Sequence, residues 1–428
     1  MSAKLQVALD FLELDRAVAV AKAAVDGGAD VLEAGTPLIK SEGLDAVRTL
    51  RGLFPQTPVV ADMKTMDAGR IETEAAAKAG ATIVTVSGTA TEFTIRECVE
   101  AGRHYGVQVA VDLLGVSDPV AFSRRLAEWG VAWVDVHCAI DAQMQGLDPL
   151  ALLREVRSAT TLTLAVAGGI NSESAAAAVA AGADVVIVGG AVTKAADPRQ
   201  AMAQIRRAMD SQQAVATDLF KRSTAANLRD LIARVRTSNL SDGAHRRSCL
   251  DGLTPLILGK LIAGPAVTVR AFPGDWSKPV QAIDVAQPGE VIVVDAAGQP
   301  PAVWGELATE SAVNKGVAGL VCNGAVRDTA EIRQLDFPVW SRRITSHAGD
   351  PMGVGDINVP IVIAGQRIEP GDWVVADDDG VMVLPKTQAV EMVNRALDVL
   401  ESENRVRNEI RGGSTLAKVM NLARWEKR

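Results

Sequence analysis

The chain has 428 residues, 48% of them hydrophobic, 22% charged and 4% aromatic, with 37 glycines and 18 prolines. At about 100–200 residues per domain this excludes a single small fold, and the balance is that of packed globular protein, not of a collagenous or broadly disordered chain. The formal net charge of -8 argues against nucleic acid as an obligate partner, because neutralising phosphates needs a basic face.

No apolar run approaches the length of a membrane span, and the N-terminal Met1-Ser2-Ala3-Lys4-Leu5 passes at once into a strand-like pattern with no signal core, so a soluble, cytoplasmic protein with no membrane partner is expected. Cys98, Cys138, Cys249 and Cys322 are scattered without CxxC spacing, which predicts free thiols and no zinc site. In chain order, short apolar runs recur at 5–11, 31–35, 59–65, 83–88, 108–114, 133–138, 162–168 and 185–190, about 25 residues apart, each followed by an Ala-rich stretch of helical spacing. Gly27-Gly28-Ala29-Asp30, Ala79-Gly80-Ala81-Thr82 and Ala181-Gly182-Ala183-Asp184 predict helix ends closed by a left-handed glycine. Eight strand–helix units select a (β/α)8 TIM barrel over a doubly wound sheet. The barrel is predicted over 1–209, with its last helix ending near Met209, a polar linker over 210–222, and a second, non-barrel α/β domain over 223–428. That domain is expected to hold a helix around 223–236, strands near 264–269, 291–295, 319–322, 373–377 and 381–384, and a long charged helix over 387–411.

Barrel chemistry sits at the C-terminal ends of the strands. The polar residues predicted there are Asp10, Glu33, Asp62, Lys64, Asp67, Asp112, His137 and Asp141, with Gly168-Gly169 and Gly189-Gly190 after the last two strands. Isolated buried charges cost several kcal/mol each unless paired or metal-bound, so the cluster reads as functional more readily than as a structural ion-pair network. Glu33 and Asp62 end neighbouring strands about 4.8 Å apart, a spacing that suits two carboxylates sharing one hard cation, Mg2+ or alternatively Mn2+. Asp62 and Lys64 are expected on one strand face by the two-residue period, with Lys64 kept cationic to stabilise an oxyanion. His137 is a candidate general base. The two glycine pairs predict a phosphate cradle and a phosphorylated substrate.

Ala8-Leu9-Asp10, Glu33-Ala34-Gly35-Thr36-Pro37, Asp62-Met63-Lys64-Thr65-Met66-Asp67, Val111-Asp112-Leu113, His137-Cys138-Ala139-Ile140-Asp141 and the two glycine pairs resemble the 3-hexulose-6-phosphate synthases of the orotidine-5'-phosphate decarboxylase superfamily, over about residues 3–209. The resemblance implies addition of formaldehyde to D-ribulose 5-phosphate. His137, Lys64, Asp62, Asp67 and Asp10 would be the catalytic set, Glu33 and Asp62 the metal ligands, and Asp112 with the glycines the substrate contacts. It also implies a dimer in which Asp67 reaches the partner's site. The alternative is the 3-keto-L-gulonate-6-phosphate decarboxylases, which carry arginines where this chain has Ile140 and Gly190 and prefer Glu where it has Asp112. Ala139 departs from the glycine common in the synthases.

In the second half Arg327-Asp328 follows an apolar, Gly-containing strand, an arrangement that brings a guanidinium and a carboxylate together for an organic acid, although an Arg-Asp pair is more often a solvated face. Trp304-Gly305-Glu306-Leu307-Ala308, Gly324-Ala325-Val326-Arg327-Asp328 and Asp378-Asp379-Gly380-Val381 resemble the regulator of ribonuclease activity A and the class II pyruvate aldolases acting on 4-hydroxy-4-methyl-2-oxoglutarate, an RraA-like domain over about 223–400. The resemblance implies that Asp328 holds a divalent metal, that Arg327 binds pyruvate, and that residues Gly305, Glu306, Leu307 and Ala308 offer backbone N–H groups. A lyase, a scaffold and a protein-binding ribonuclease regulator stay open. Dimeric barrels and trimeric C-terminal domains would close as a dihedral hexamer.

Overall fold

The computed structural model describes residues 2–422. Its first eight strands, β1 (Lys4–Leu9), β2 (Val31–Ala34), β3 (Val59–Thr65), β4 (Ile83–Ser87), β5 (Gln108–Asp112), β6 (Trp133–His137), β7 (Thr163–Ala167) and β8 (Val185–Val188), pair in parallel and in chain order. β8 returns to β1, which closes the barrel. Side chains alternate between the two faces of a strand. Residues such as Leu5, Val7, Leu9, Leu32, Val84, Val109, Val134 and Val186 face the surrounding helices in one large core. Ala8, Val31, Val60, Ile83, Ala110, Trp133, Ala165 and Val185 form a separate interior layer.

Two residues beyond Val31, Val60, Ile83, Ala110 and Trp133 stand Glu33, Asp62, Thr85, Asp112 and Asp135. The same period that plugs the barrel floor with apolar groups thus raises a polar layer above it, toward the C-terminal ends of the strands. Helix ends follow their local signals. Gly28, Gly80 and Gly182 have φ of 102°, 102° and 103°, and the Thr91, Asp118 and Asp197 side chains cap the helices that follow them.

The second unit has a different architecture. β10 (Ile262–Ala271), β11 (Val291–Asp295), β13 (Gly319–Val326) and β14 (Val339–Ile344) are parallel neighbours, after the short β9 (Thr254–Pro255), which runs antiparallel to β14. β12 (Ala302–Trp304) lies beside β13, and β15 (Gly355–Ile357) beside β10. β16 (Ile361–Ile363) and β17 (Gln366–Ile368) make a separate hairpin, while β18 (Trp373–Asp377) and β19 (Gly380–Leu384) complete the main sheet antiparallel to one another. Helices Ser277–Val285, Glu306–Lys315 and Thr329–Gln334 supply the crossovers that parallel strands require. Ile292 and Val294 pack on the helical face, Val291 and Val293 on the other, so β11 is buried on both sides and reads as a continuous apolar run.

Four expectations are corrected. The helix placed around 223–236 shortens to Leu228–Ile232, because the Asn227 side chain accepts the Thr224 N–H (2.6 Å) and offers the backbone a turn in place of a helix. A second helix, Thr237–Gly243, begins where the Asp377 carboxylate takes the Thr237 N–H (2.9 Å) and hydroxyl (2.5 Å). The last barrel helix runs to Ser211, and the stretch expected to be a polar linker is largely packed: residues 212–221 belong to the barrel unit, with Phe220 in its core. The long helix is Ala389–Arg411, and the contacts assign residues 401–422 to the barrel unit and 144–146 to the second unit, where the sequence pattern had grouped 223–428 together. The four cysteines are unpaired, and no helix among the described residues is long and apolar enough to cross a membrane.

Candidate active site

At the mouth of the barrel a lysine is held between two carboxylates. Lys64 Nζ donates to the Asp112 carboxylate at 2.7 Å and to that of Asp62 at 3.1 Å. Asp62 and Lys64 come together as the two-residue period expects, but on a strand that is not straight there. Lys64 has φ of 45°, in the left-handed region, and the β3–β4 register shifts between Ala61 and Thr65. Such a conformation costs of order 1–3 kcal/mol and persists where the surroundings over-determine it; here two ion pairs and a bond from the Lys64 N–H to Thr85 Oγ1 (3.1 Å) hold it.

Asp112, 3% exposed, joins this pair to the histidine: its carboxylate lies 3.0 Å from His137 Nδ1 and also accepts the Leu114 N–H at 2.8 Å. A carboxylate on Nδ1 selects the tautomer with the proton there and leaves Nε2 as the basic nitrogen. Asp62 is further oriented by the hydroxyls of Thr36 and Thr85, each donating at 2.6 Å, and Glu33 accepts from the Gln6 amide at 2.5 Å.

The electrostatics follow from this crowding. Burial pushes Asp112 up, but the bond and charge of His137 and then Lys64 outweigh it and hold the carboxyl at about 2. Burial pulls the Lys64 ammonium down, and Asp62 and Asp112 reverse that, so it stays charged above its ordinary value. His137 likewise loses basicity to burial and regains more than that from Asp112, a net rise. Glu33 is raised well above the usual carboxylate range by burial and then by repulsion from Asp62 and Asp10, and Asp10 is raised by burial and Asp62.

Two buried acids, Glu33 and Asp62, with Asp10 close enough to add to their repulsion, form the environment a hard divalent cation would relieve. Among the described residues no three His, Cys, Asp or Glu side chains converge as a complete cage. A pair of carboxylates is a donor set that Mg2+ commonly takes, with water and substrate oxygens completing its shell. Glu33 and Asp62 are the residues that fit.

The remaining expectations separate. Gly168-Gly169 and Gly189-Gly190 follow β7 and β8 directly. Asp67 stands apart from the cluster: it is exposed and its carboxylate accepts the Ala68 N–H at 2.7 Å. Asp135, Thr36 and Thr85 were not anticipated. Asp135 is 8% exposed, its Oδ1 has no hydrogen-bond partner, and burial followed by Asp112 and Asp62 pushes its carboxyl up to about 8. The strand period could have found it, since it lies two residues before His137 on the same face.

In the second unit Arg327, Asp328 and the 305–308 loop do come together. Asp328 has φ of 55°, its Oδ2 accepts the Glu306 N–H at 3.2 Å and lies 3.4 Å from Arg327 Nε. A Cβ on Gly305 would stand 2.4 Å from that Oδ2, so glycine is what permits the approach. Leu307 is 77% exposed, and Ala308 is buried in the helix that Gly305 opens.

The description of the orotidine 5'-phosphate decarboxylase / HUMPS family matches residues 3–205. The 3-hexulose-6-phosphate synthase of Methylomonas aminofaciens is 40% identical over 201 residues, which cover 47% of this chain and 96% of that protein. Through its barrel, the chain belongs to this family. The synthase of Mycobacterium gastri is 39% identical to the family barrel over 207 residues, 48% of this chain and 99% of that one. The crystal structure of 3-hexulose-6-phosphate synthase from Salmonella typhimurium, 37% identical, has a TM-score of 0.48 and covers 49% of this chain and 100% of that chain. Beyond the family barrel, an Aldolase/RraA family description, RraA-like, matches residues 237–383.

Proposed function

We propose that the barrel catalyses the reversible aldol addition of formaldehyde to D-ribulose 5-phosphate, giving D-arabino-3-hexulose 6-phosphate. The observation that carries this reading is the His137–Asp112–Lys64–Asp62 chain, a base with a fixed tautomer beside a permanently charged ammonium. His137 Nε2 takes a proton from C1 of the ketose, the electrons pass to the carbonyl oxygen as a cis-enediolate, and Lys64 stabilises the negative charge. C1 then attacks formaldehyde, and the imidazolium returns the proton to the new alkoxide. When bound at Glu33 and Asp62, Mg2+ or Mn2+ supplies Lewis-acid polarisation of the ketone. The backbone N–H groups of the two glycine loops hold the phosphate. The same residues serve the reverse reaction, so formaldehyde release from hexulose 6-phosphate is the direct test; a purified protein that neither releases nor consumes formaldehyde overturns the reading.

A pH prediction follows from the direction of the His137 shift. The base must be neutral to act, so kcat/KM should rise with pH through a value above 6.5. Asp112→Asn removes the bond and charge that raise His137, so its acid limb should move to lower pH while the rate falls. A limb that stays in place would remove Asp112 from this role.

The RraA-like unit is proposed as a metal-dependent lyase acting on a 2-oxo acid, with Arg327 on the carboxylate and Asp328 on the cation. What supports it is the convergence of Asp328, Arg327 and the Glu306 N–H. Oxaloacetate decarboxylation with added Mg2+ should be abolished in Arg327→Ala and Asp328→Ala, and Gly305→Ala should reduce it by displacing Asp328. A parent chain without this activity would favour a scaffold. Barrel dimers joined through trimers of the second unit remain our assembly proposal, and a monomeric or dimeric mass by light scattering would end it.

A further inference from the structure

Residues 213–221 are fastened to the turn that follows β7. The Val215 N–H donates to the Ser172 carbonyl (2.9 Å), and Ser172 Oγ donates back to the Val215 carbonyl (2.8 Å). The Thr217 N–H donates to Glu173 Oε1 (3.0 Å), on which Lys221 Nζ also closes (3.3 Å). The Asn171 amide, 7% exposed, donates to the carbonyls of both Leu219 and Phe220 at 3.4 Å, while its oxygen accepts the Glu173 N–H (2.9 Å) and the Ser174 N–H (3.3 Å).

This fastening delivers Phe220 onto the loop after β8. A Cβ on Gly190 would fall 2.1 Å from Phe220 Cε2, so the ring lies where a side chain at 190 would begin, and Lys194 Nζ stands 5.8 Å from the ring centroid. One segment therefore joins the turn at 171–173, just after the first glycine pair, to Gly190 in the second. It lies beyond residue 205, where the match to the barrel family ends.

We propose that Phe220 is a positioning residue for the phosphate end of the barrel's substrate. Resting on the sugar-phosphate reading above, the segment 213–221 walls the cradle formed by Gly168-Gly169 and Gly189-Gly190. The ring excludes water from one side, which strengthens N–H bonds to a phosphate, and it holds the β8 loop in its binding conformation so that less order has to be created on binding.

The test uses the full-length chain with two independent variants. Phe220→Ala removes the wall itself. Asn171→Asp keeps the oxygen that caps the turn but sets a carboxylate against the two carbonyls that the amide now serves, and so releases the segment. Each should raise the KM for D-ribulose 5-phosphate and the inhibition constant of inorganic phosphate about tenfold in parallel, with kcat within about twofold and Phe220→Leu intermediate. Unchanged KM and phosphate inhibition in both variants, or a fall in kcat alone, would overturn the proposal. Should the parent not turn over ribulose 5-phosphate, titration calorimetry with inorganic phosphate still decides. Weaker binding in both variants supports the wall, and equal binding removes it.

Discussion

Replacing His137 by Ala is expected to lower kcat for hexulose phosphate formation by about 10^2–10^4, the usual worth of a positioned general base. It should also stop exchange of the C1 hydrogen of ribulose 5-phosphate with solvent. The exchange readout separates chemistry from binding, since it needs only the proton transfer and no formaldehyde. His137→Gln is the sharper variant. Its amide can still meet the Asp112 carboxylate, now 3.0 Å from His137 Nδ1, yet it offers no basic nitrogen at the far end. Affinity for inorganic phosphate should be unaltered in both, because the glycine loops after β7 and β8 are left intact. Exchange at the parent's rate in either variant would take the proton transfer away from His137.

Lys64→Met should be as damaging to the fold as to the reaction. Its ammonium is the cation bonded to both Asp62, 6% exposed, and Asp112, 3% exposed. Removing one partner of a buried ion pair leaves an uncompensated charge and typically costs about 3–5 kcal/mol, a loss readable in denaturant unfolding with chelator present. The pH dependence follows with its sign. Asp112 is held at about 2, so it contributes stability above its unfolded value that is lost as pH falls toward 2. Without Lys64 that carboxyl is held down by His137 alone, and the acid loss should begin at higher pH. Lys64 itself is raised, so its own contribution is complete below the ordinary lysine pKa and fades only in strong alkali. A variant as stable as the parent, or one that retains more than about a tenth of its activity, would show that the ammonium is not needed where it stands.

The barrel is readable because eight apolar runs recur at a steady period, five of them carry an acid near their ends, and small-residue helix caps precede several of the next strands. Glu33, Asp62, Asp112 and His137 could be named from that rhythm alone, since the fold assigns its chemistry to one end of the strands. Lys64 is legible in part. Strand alternation places it with Asp62, whereas the left-handed φ at Lys64 and the register shift beside it are not visible in residue types. Asp135 is hard to single out because a lone acid inside an apolar strand resembles a neighbour of the site more than a member of its inner layer. The stretch before Arg222 reads as a linker on composition, and composition does not record that Ser172, Asn171 and Glu173 stand ready to bind its backbone.

Residues 401–422 return to the barrel after the whole RraA-like unit has intervened, and there Glu409 meets Arg16 of the first barrel helix at 2.6 Å. In the order in which a ribosome releases the chain, the eight strands emerge first and the partner of Arg16 last. The barrel thus gains this closing contact only after residues 222–400 have been made. A chain stopped at residue 400 would keep every strand and every residue of the barrel site, yet leave Arg16 without the Glu409 carboxylate, so this contact within the first unit is also a record that synthesis of the second was completed.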